Sequence, residues 1–180
     1  VSTSMLAEDL KPNRLEAAKD VAAEFINGRP NDNIGITLFA GETFTQCPLT
    51  VDHAVLLDMI HNIKCGLITD GTAVGMGIAN AVTRLKDSKA KSKVIILLTD
   101  GTNNKGDISP MTAAEIAKSF GIRVYTIGVG TNGMAPYPYP VGNTVQYVSM
   151  PVEIDEKTLT EIAGTTDGNY FRATSNSKLK

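Results

Sequence analysis

Oxygen-bearing side chains cluster in three short stretches of the sequence: the opening VSTSM and two copies of TDGT, at 69–72 and 99–102. Ser2 and Ser4 are two residues apart, so in an extended segment their hydroxyls point the same way. The other candidates are Asp70, Thr72, Asp100 and Thr102. Hydroxyls and carboxylates without nearby His or Cys suit a hard cation, Mg²⁺ above all, with Mn²⁺ or Ca²⁺ also possible. The sequence therefore predicts an oxygen-ligated divalent-cation site.

These stretches depend on the elements that flank them. Helix caps and apolar spacing predict helices, and uninterrupted apolar runs or turn-bounded segments predict strands. The predicted helices are 13–27, 50–61, 72–86, 109–120 and 155–163, and the predicted strands are 33–40, 43–47, 93–101, 122–130 and 168–173. Of these strands, 33–40 and 43–47 are expected to pair as a hairpin.

The alternation of strands and helices predicts an α/β fold. The runs KVIILLTDG (93–101) and IRVYTIGVG (122–130) are too apolar to face water, so they belong in a sheet that is covered on both faces. We predict a doubly wound, mainly parallel, Rossmann-like sheet with helices on both faces and one antiparallel edge hairpin. Ligand sites in such sheets lie beyond the carboxyl ends of the strands, where both TDGT copies fall.

A Pro- and Tyr-rich insertion at 131–151 interrupts this alternation. It is too long for an ordinary connection and is expected to form a surface excursion or hairpin. Two interpretations fit its tyrosines, Tyr137, Tyr139 and Tyr147: they are partner contacts, or they only cover the edge of the sheet. We predict a single domain over 1–173 that contains this insertion, with 174–180 starting a C-terminal linker.

Composition excludes some partners. The formal net charge is −2, and no dense cluster of Lys and Arg favours nucleic acid or an anionic membrane. No apolar run is long enough to span a bilayer and no signal peptide is evident, so the sequence predicts a soluble domain. Cys47 and Cys65 lack metal-ligand spacing; they are either two small buried side chains or a disulfide.

VSTSM, TAVG and VIILLTDG together resemble the metal-ion-dependent adhesion site (MIDAS) of von Willebrand factor type A (VWA) domains, whose first motif is D-x-S-x-S. The resemblance implies that Ser2 and Ser4 ligate the cation, that Thr72 ligates it directly or through water, and that Asp100 helps to hold it. The residues expected beside these ligands or in the turns are Asp70, Gly71, Gly101 and Thr102.

One departure from the VWA pattern affects the expected site. The leading aspartate of D-x-S-x-S would come before Val1 and is absent from the chain. A weak or empty cation site is therefore expected, together with a first central strand that is largely missing.

The stretches at 4–19, 70–85 and 161–173, with the insertion, are similar to those of bacterial aerotolerance-operon (Bat, BatA-type) membrane proteins. That resemblance implies flanking transmembrane helices in the bacterial inner membrane, with the domain on the periplasmic side. It also implies other Bat-type proteins and a MoxR-type AAA+ ATPase as associated components. The function expected is binding of a partner protein's Asp or Glu through the cation.

Enzyme functions fit the sequence poorly. A haloacid-dehalogenase-type phosphohydrolase needs a carboxylate two residues before the aspartate of DGT, where this chain has Ile68 and Leu98. A serine hydrolase needs a nucleophile elbow and an aligned histidine, and His53 and His61 lie on a predicted helix instead. GVGTNG (128–133) is not followed by a helix pattern, as a phosphate loop would be. We predict a non-enzymatic interaction module without a small-molecule substrate; the alternative is an assembly module of a cell-envelope complex, with its contact surface away from the metal.

Overall fold

Helices and strands alternate along most of the chain in the computed structural model, which describes residues 1–66, 68–101, 103–142 and 144–173. A 3₁₀ turn at Thr3–Leu6 precedes the first helix. The helices are α1 (Arg14–Asn27), α2 (His53–His61), α3 (Val74–Leu85), α4 (Pro110–Ser119) and α5 (Glu156–Thr165). The strands are β1 (Ile34–Phe39), β2 (Thr43–Thr50), β3 (Lys93–Thr99), β4 (Ile122–Val129), β5 (Gly133–Val141), β6 (Thr144–Val152) and β7 (Tyr170–Ala173).

The strands form three sheets. A parallel sheet has the order β3-β4-β7, and two antiparallel pairs, β1-β2 and β5-β6, stand apart from it. Among the described strands, none hydrogen-bonds to both β1 and β3. The sheet that was predicted to be continuous is therefore divided between these two strands. The N-terminal amino group of Val1 donates to the carbonyl of Phe39, at the end of β1, at 2.6 Å. The predicted mixed α/β architecture, with its parallel sheet and antiparallel hairpin, is confirmed.

Helices cover both faces of the parallel sheet, as expected. On one face, α3, α4 and α5 pack on inward residues such as Ile95, Leu97 and Val124. On the other, α1 packs its Ala17 against Val129 and Ala173. Strand side chains alternate between the faces, and the strand interior is apolar on both because each face has helices to contact.

Most predicted helix starts are confirmed by capping contacts. Asn13 accepts from the N–H of Glu16 at α1, and Ser109 and Asp155 cap α4 and α5 in the same way. The predicted cap of α2 at Thr50 is wrong. Strand β2 extends to Thr50, and Asp52 caps the helix instead.

The insertion at 131–151 is a second antiparallel hairpin, formed by β5 and β6, which are joined by two residues between Val141 and Thr144. Cys47 and Cys65 are free cysteines, the first buried and the second half-buried. Along the described residues, no helix combines the length and apolar character needed to cross a membrane.

Candidate metal centre

Ser2 and Ser4 bring their hydroxyls together at the start of the chain. The two Oγ atoms are 2.6 Å apart, and Ser2 is buried. Ser2 has an extended backbone, whereas Ser4 lies in the 3₁₀ turn that begins at Thr3 and is anchored by buried Met5. The hydroxyls therefore converge as the spacing predicts, although through a tight turn rather than a continuous extended segment.

Asp70 fixes this turn from the neighbouring loop. Its Oδ1 accepts from the N–H of Thr3 at 3.0 Å and its Oδ2 from the Thr3 hydroxyl at 2.8 Å. These hydrogen bonds lower the pKa of Asp70 because they stabilise its charged form. Both of its oxygens are thus engaged in orienting the segment that carries Ser2 and Ser4.

Thr72 is a buried residue in the loop before α3. Its N–H donates to Oδ1 of Asn104 at 2.9 Å, and its carbonyl accepts from the N–H of Asn104 at 2.9 Å. The N–H of Ala73 donates to the carbonyl of Ala40 at 2.7 Å, just after β1. The Thr72 loop is therefore held between the loops that follow β1 and β3.

The start of α3 is capped from a distant part of the chain. Ala73, at the N-cap position, has no side-chain oxygen with which to accept a hydrogen bond. Asn103, in the loop after β3, supplies the acceptor instead: its Oδ1 accepts from the N–H of Val74 at 2.8 Å. Asn103 and Asn104 thus connect the loop after β3 to the loop before α3, which carry the two TDGT copies.

Asp100 is buried at the end of β3 and pairs with a buried arginine of α1. Nη1 of Arg14 donates to Oδ2 of Asp100 at 3.1 Å, and the side chains of both residues are at most 4% exposed. Arg14 also donates from Nε and Nη2 to the two carboxylate oxygens of Asp9, each at 2.7 Å.

Asp9 extends this charge network to the base of the β5-β6 hairpin. Its Oδ2 accepts from the N–H and the hydroxyl of Thr131, at 2.7 and 3.0 Å. Burial alone would raise the pKa of Asp9, but the hydrogen bonds from Arg14 and Thr131 outweigh it and lower the pKa to about 2. Burial alone would also lower the pKa of Arg14, yet the two carboxylates raise it.

Gly130 makes room for the guanidinium of Arg14. A Cβ at this position would lie 2.6 Å from Cζ of Arg14, well inside van der Waals contact. Gly130 also has a φ of +118°, which side-chain-bearing residues rarely adopt. The backbone after β4 thus approaches the charge network as closely as only glycine permits.

The structure brings the hydroxyls of Ser2 and Ser4 together, and it places Thr72 in the loop before α3 and Asp100 directly after β3. The Thr72 hydroxyl lies 3.6 Å from where a Cβ on Gly101 would be, directly beside Asp100. Gly71 has a φ of +138° and joins Asp70 to Thr72. Thr102 lies outside the described residues.

The three tyrosines of the insertion do not belong to this group. Tyr139 and Tyr147 are exposed on the β5-β6 hairpin, and Tyr137 is half-buried there. The hairpin contacts the first segment through Glu8, whose N–H donates to the carbonyl of Pro136 and whose carboxylate accepts from the Tyr147 hydroxyl.

Sequence reasoning missed four residues that hold this region together: Asp9, Arg14, Asn103 and Asn104. A signal for Arg14 exists, because it precedes Ala18 by four residues and Val21 by seven and so shares the apolar stripe of α1. The two asparagines carry no comparable signal, since their hydrogen bonds span 29 and 32 residues.

The chemistry of these donors fits a hard cation better than zinc. Within the described ranges, no group of three or more His, Cys, Asp or Glu side chains could hold a metal ion. The candidate ligands are instead three hydroxyls and one carboxylate, and oxygen ligands of this kind suit a hard cation.

Comparisons with known proteins identify the family of the chain. The model for the von Willebrand factor type A domain matches residues 1–180. An uncharacterised protein of Borreliella burgdorferi is 31% identical over 173 residues, covering 95% of this chain and 51% of that protein. The chain therefore spans about half the length of this curated relative.

The solved structures that are similar over nearly the whole chain include two bacterial proteins. An aerotolerance-related membrane protein from Bacteroides fragilis is 33% identical with a TM-score of 0.85, covering 99% of this chain and 90% of that one. The conserved hypothetical protein BatB from Bacteroides thetaiotaomicron is 32% identical with a TM-score of 0.86, at 99% and 89% coverage.

Proposed function

This chain belongs to the von Willebrand factor type A domain family, and from that premise we propose that it is a metal-dependent protein-interaction module. The hydroxyls of Ser2, Ser4 and Thr72 would hold a divalent cation, Mg²⁺ by preference, together with Asp100. The bound cation would supply an electrophilic centre for a carboxylate from a partner's Asp or Glu. The observation that carries the proposal is the 2.6 Å approach of the Ser2 and Ser4 hydroxyls.

The charges around these residues favour an anionic partner. Asp70 is hydrogen-bonded to Thr3, and Asp100 shares its charge with Arg14, so the chain offers little free negative charge to the cation. A cation held mainly by hydroxyls retains most of its positive charge and attracts an external carboxylate. The fixed loops would orient that contact, because Asn104 and Asp70 leave Thr72 and the serine turn little freedom.

Isothermal titration tests the cation site directly. We expect the chain to bind Mg²⁺ or Mn²⁺, and a chain with an aspartate placed directly before Val1 to bind more tightly, because that carboxylate would complete the D-x-S-x-S motif. Ser4→Ala should abolish binding in both forms, while Ser149→Ala, at an exposed serine of β6, should leave it unchanged. Equal binding by Ser4→Ala and the parent chain would contradict the assignment.

A second experiment tests the carboxylate contact. A fluorescent peptide with a single Glu should bind the chain in Mg²⁺, and its Gln counterpart should not. Binding should disappear in EDTA and in Ser4→Ala. Persistence of Glu-peptide binding in EDTA would contradict the metal-bridged mechanism.

The similarity to proteins described as membrane proteins supports a cellular setting for this module. We propose that the domain is tethered to the bacterial inner membrane on the periplasmic side, where it acts with other Bat-type proteins and a MoxR-type AAA+ ATPase. Protease accessibility in spheroplasts of the native bacterium tests the sidedness: the domain should be degraded without lysis, and protection until lysis would contradict it.

A second function is favoured by the exposed apolar side chains of the β5-β6 hairpin. In that case the domain is an assembly module in a cell-envelope complex and the metal only stabilises loops. Paired variants separate the two functions. Loss of a partner in Ser4→Ala and Asp100→Ala, with the fold intact, favours the metal contact, whereas retention favours assembly through another surface.

A further inference from the structure

The β5-β6 hairpin combines exposure with an absence of charge. No Asp, Glu, Lys or Arg occurs between Thr131 and Val152. Every residue from Thr144 to Pro151 on β6 is exposed. The exposed large apolar side chains of the hairpin are Met134, Tyr139, Val141, Val145, Tyr147, Val148 and Met150. Exposed apolar area of this extent marks a contact surface.

The two edges of this hairpin differ because of three alternating prolines. Pro136, Pro138 and Pro140 have no N–H, so they occupy positions of β5 that do not donate to β6. Their backbone therefore faces the outer edge of β5, and the carbonyl of Pro136 accepts there from the N–H of Glu8 at 2.9 Å. An edge that lacks the N–H at three successive outward positions cannot pair along its length with a further regular strand.

The outer edge of β6 is open. Ser149, Tyr147 and Val145 face the three prolines in the register, so their N–H and carbonyl groups also point away from the hairpin. Within the described part of the chain, the β5-β6 sheet has only these two strands, and no third strand pairs with β6. This edge presents three donors and three acceptors in a regular ladder.

We propose that the open edge of β6 pairs in antiparallel fashion with β6 of a second copy of this chain. A twofold axis at Tyr147 places Tyr147 opposite its copy and Val145 opposite Ser149 of the second copy. The strand available for this pairing has about the same length on both sides of Tyr147. It is limited on one side by the turn after Val141 and on the other by Pro151, each about four residues away. A segment of this kind is self-complementary, as a twofold interface requires.

Charge and edge asymmetry favour a second copy over other occupants. The chain carries a net charge of −2, yet the hairpin contributes none of it, so two copies meet here without repulsion. The proline edge of β5 prevents further strand addition, so pairing stops at a dimer with a four-stranded sheet. The metal-site residues take no part in this contact, and the inference does not depend on the proposed function.

Sedimentation over a roughly thousandfold range of concentration tests the association. The average mass of the parent chain should rise toward twice that of the monomer. Tyr147→Pro removes the central outward N–H without removing a donor that the hairpin uses, and should remain monomeric. Tyr147→Thr is the matched control: it also loses the tyrosine and its bond to Glu8, but keeps the N–H and should still dimerise.

Disulfide trapping tests the register, with Cys47→Ala and Cys65→Ser as the background. At the twofold axis, Tyr147→Cys places two Cα atoms about 5.5 Å apart, within disulfide range. Ser149→Cys places them about 14 Å apart, because position 149 lies opposite position 145 of the second copy. We expect at least a roughly tenfold higher yield of covalent dimer at 147.

Three outcomes would overturn the proposal. One is equal trapping at both positions, and another is a Tyr147→Pro chain that dimerises like the parent. The third is a parent chain that stays monomeric throughout and instead co-floats with phosphatidylcholine vesicles, which would assign the apolar hairpin to a lipid surface.

Discussion

The candidate metal centre and the β5-β6 hairpin reverse the usual placement of polar and apolar groups. In the first, charged and hydroxyl side chains are buried: Arg14 is fully buried and Asp100 is 5% exposed. In the second, apolar side chains face solvent, with Val145 and Tyr147 nearly 60% exposed. Buried polar groups are costly unless paired, and exposed apolar groups indicate that a partner is missing.

The two regions therefore depend on different interactions. The candidate metal centre is held by long-range hydrogen bonds and ion pairs within the chain, so changes there should alter stability. The hairpin makes few contacts with the rest of the chain, so changes there should alter association with little effect on stability. Contacts through Thr131 and Glu8 are where the two regions meet.

The largest effect is expected for Arg14→Met, which leaves two buried carboxylates without a counter-charge. We expect a loss of about 3–5 kcal/mol in the free energy of unfolding, measured by urea denaturation. Arg29→Met, at an exposed pair with Asp32, is the control and should cost less than about 1 kcal/mol. An equal loss of unfolding free energy in both variants would show that the buried ion pairs of Arg14 contribute no more to stability than an exposed ion pair does.

Acid should weaken the metal-centre region through Asp9. Its folded pKa of about 2 is below the usual value of 3.8, so its stabilising contribution is complete above pH 3.8. That contribution, of about 2 kcal/mol, is lost as the pH falls through the folded pKa. Urea midpoints from pH 6 to pH 2 should fall for the parent chain and fall less steeply for Asp9→Asn. Parallel profiles would show that Asp9 is not the responsible group.

A smaller effect is expected where one loop caps the other. Asn103→Ala removes the acceptor of the Val74 N–H at the start of α3 and should cost about 1 kcal/mol. Asn33→Ala, at an exposed position before β1, should have no measurable effect. Thermal unfolding of both variants gives the comparison, and an unchanged midpoint for Asn103→Ala would show that the cap is replaced by water.

The smallest effect on stability is expected in the hairpin. Val145→Thr and Val148→Thr keep the strand propensity of exposed positions and should change the unfolding free energy by less than about 0.5 kcal/mol. Denaturation in dilute solution measures the unfolding free energy of the monomer without a contribution from association. A cost above about 1 kcal/mol in either variant would show that the hairpin packs within the chain and would remove the contrast.

The sequence predicted the elements better than the contacts between them. Periodic apolar patterns and caps such as Asn13 and Asp155 are local, so the helices they begin were found correctly. The start of α2 was misplaced because a threonine suits both a strand end and a cap, and only pairing with β1 distinguishes the two.

The candidate site shows the same limit. Its hydroxyls and Asp100 could be identified from short motifs, but the partners of Asp100 and Thr72 could not. Arg14 reaches Asp100 across 86 positions, and Asn104 reaches Thr72 across 32. Such pairs depend on tertiary packing, which no local pattern encodes.

The capping of α3 by Asn103 also has a kinetic consequence. A helix whose N-terminal cap comes from 29 residues away gains that hydrogen bond only after the loop following β3 has docked. The start of α3 and that loop therefore become ordered together. This step costs the entropy of closing the chain segment between them. The loops of the candidate metal centre should then become ordered late in folding, and Asn103→Ala should speed unfolding more than it slows folding.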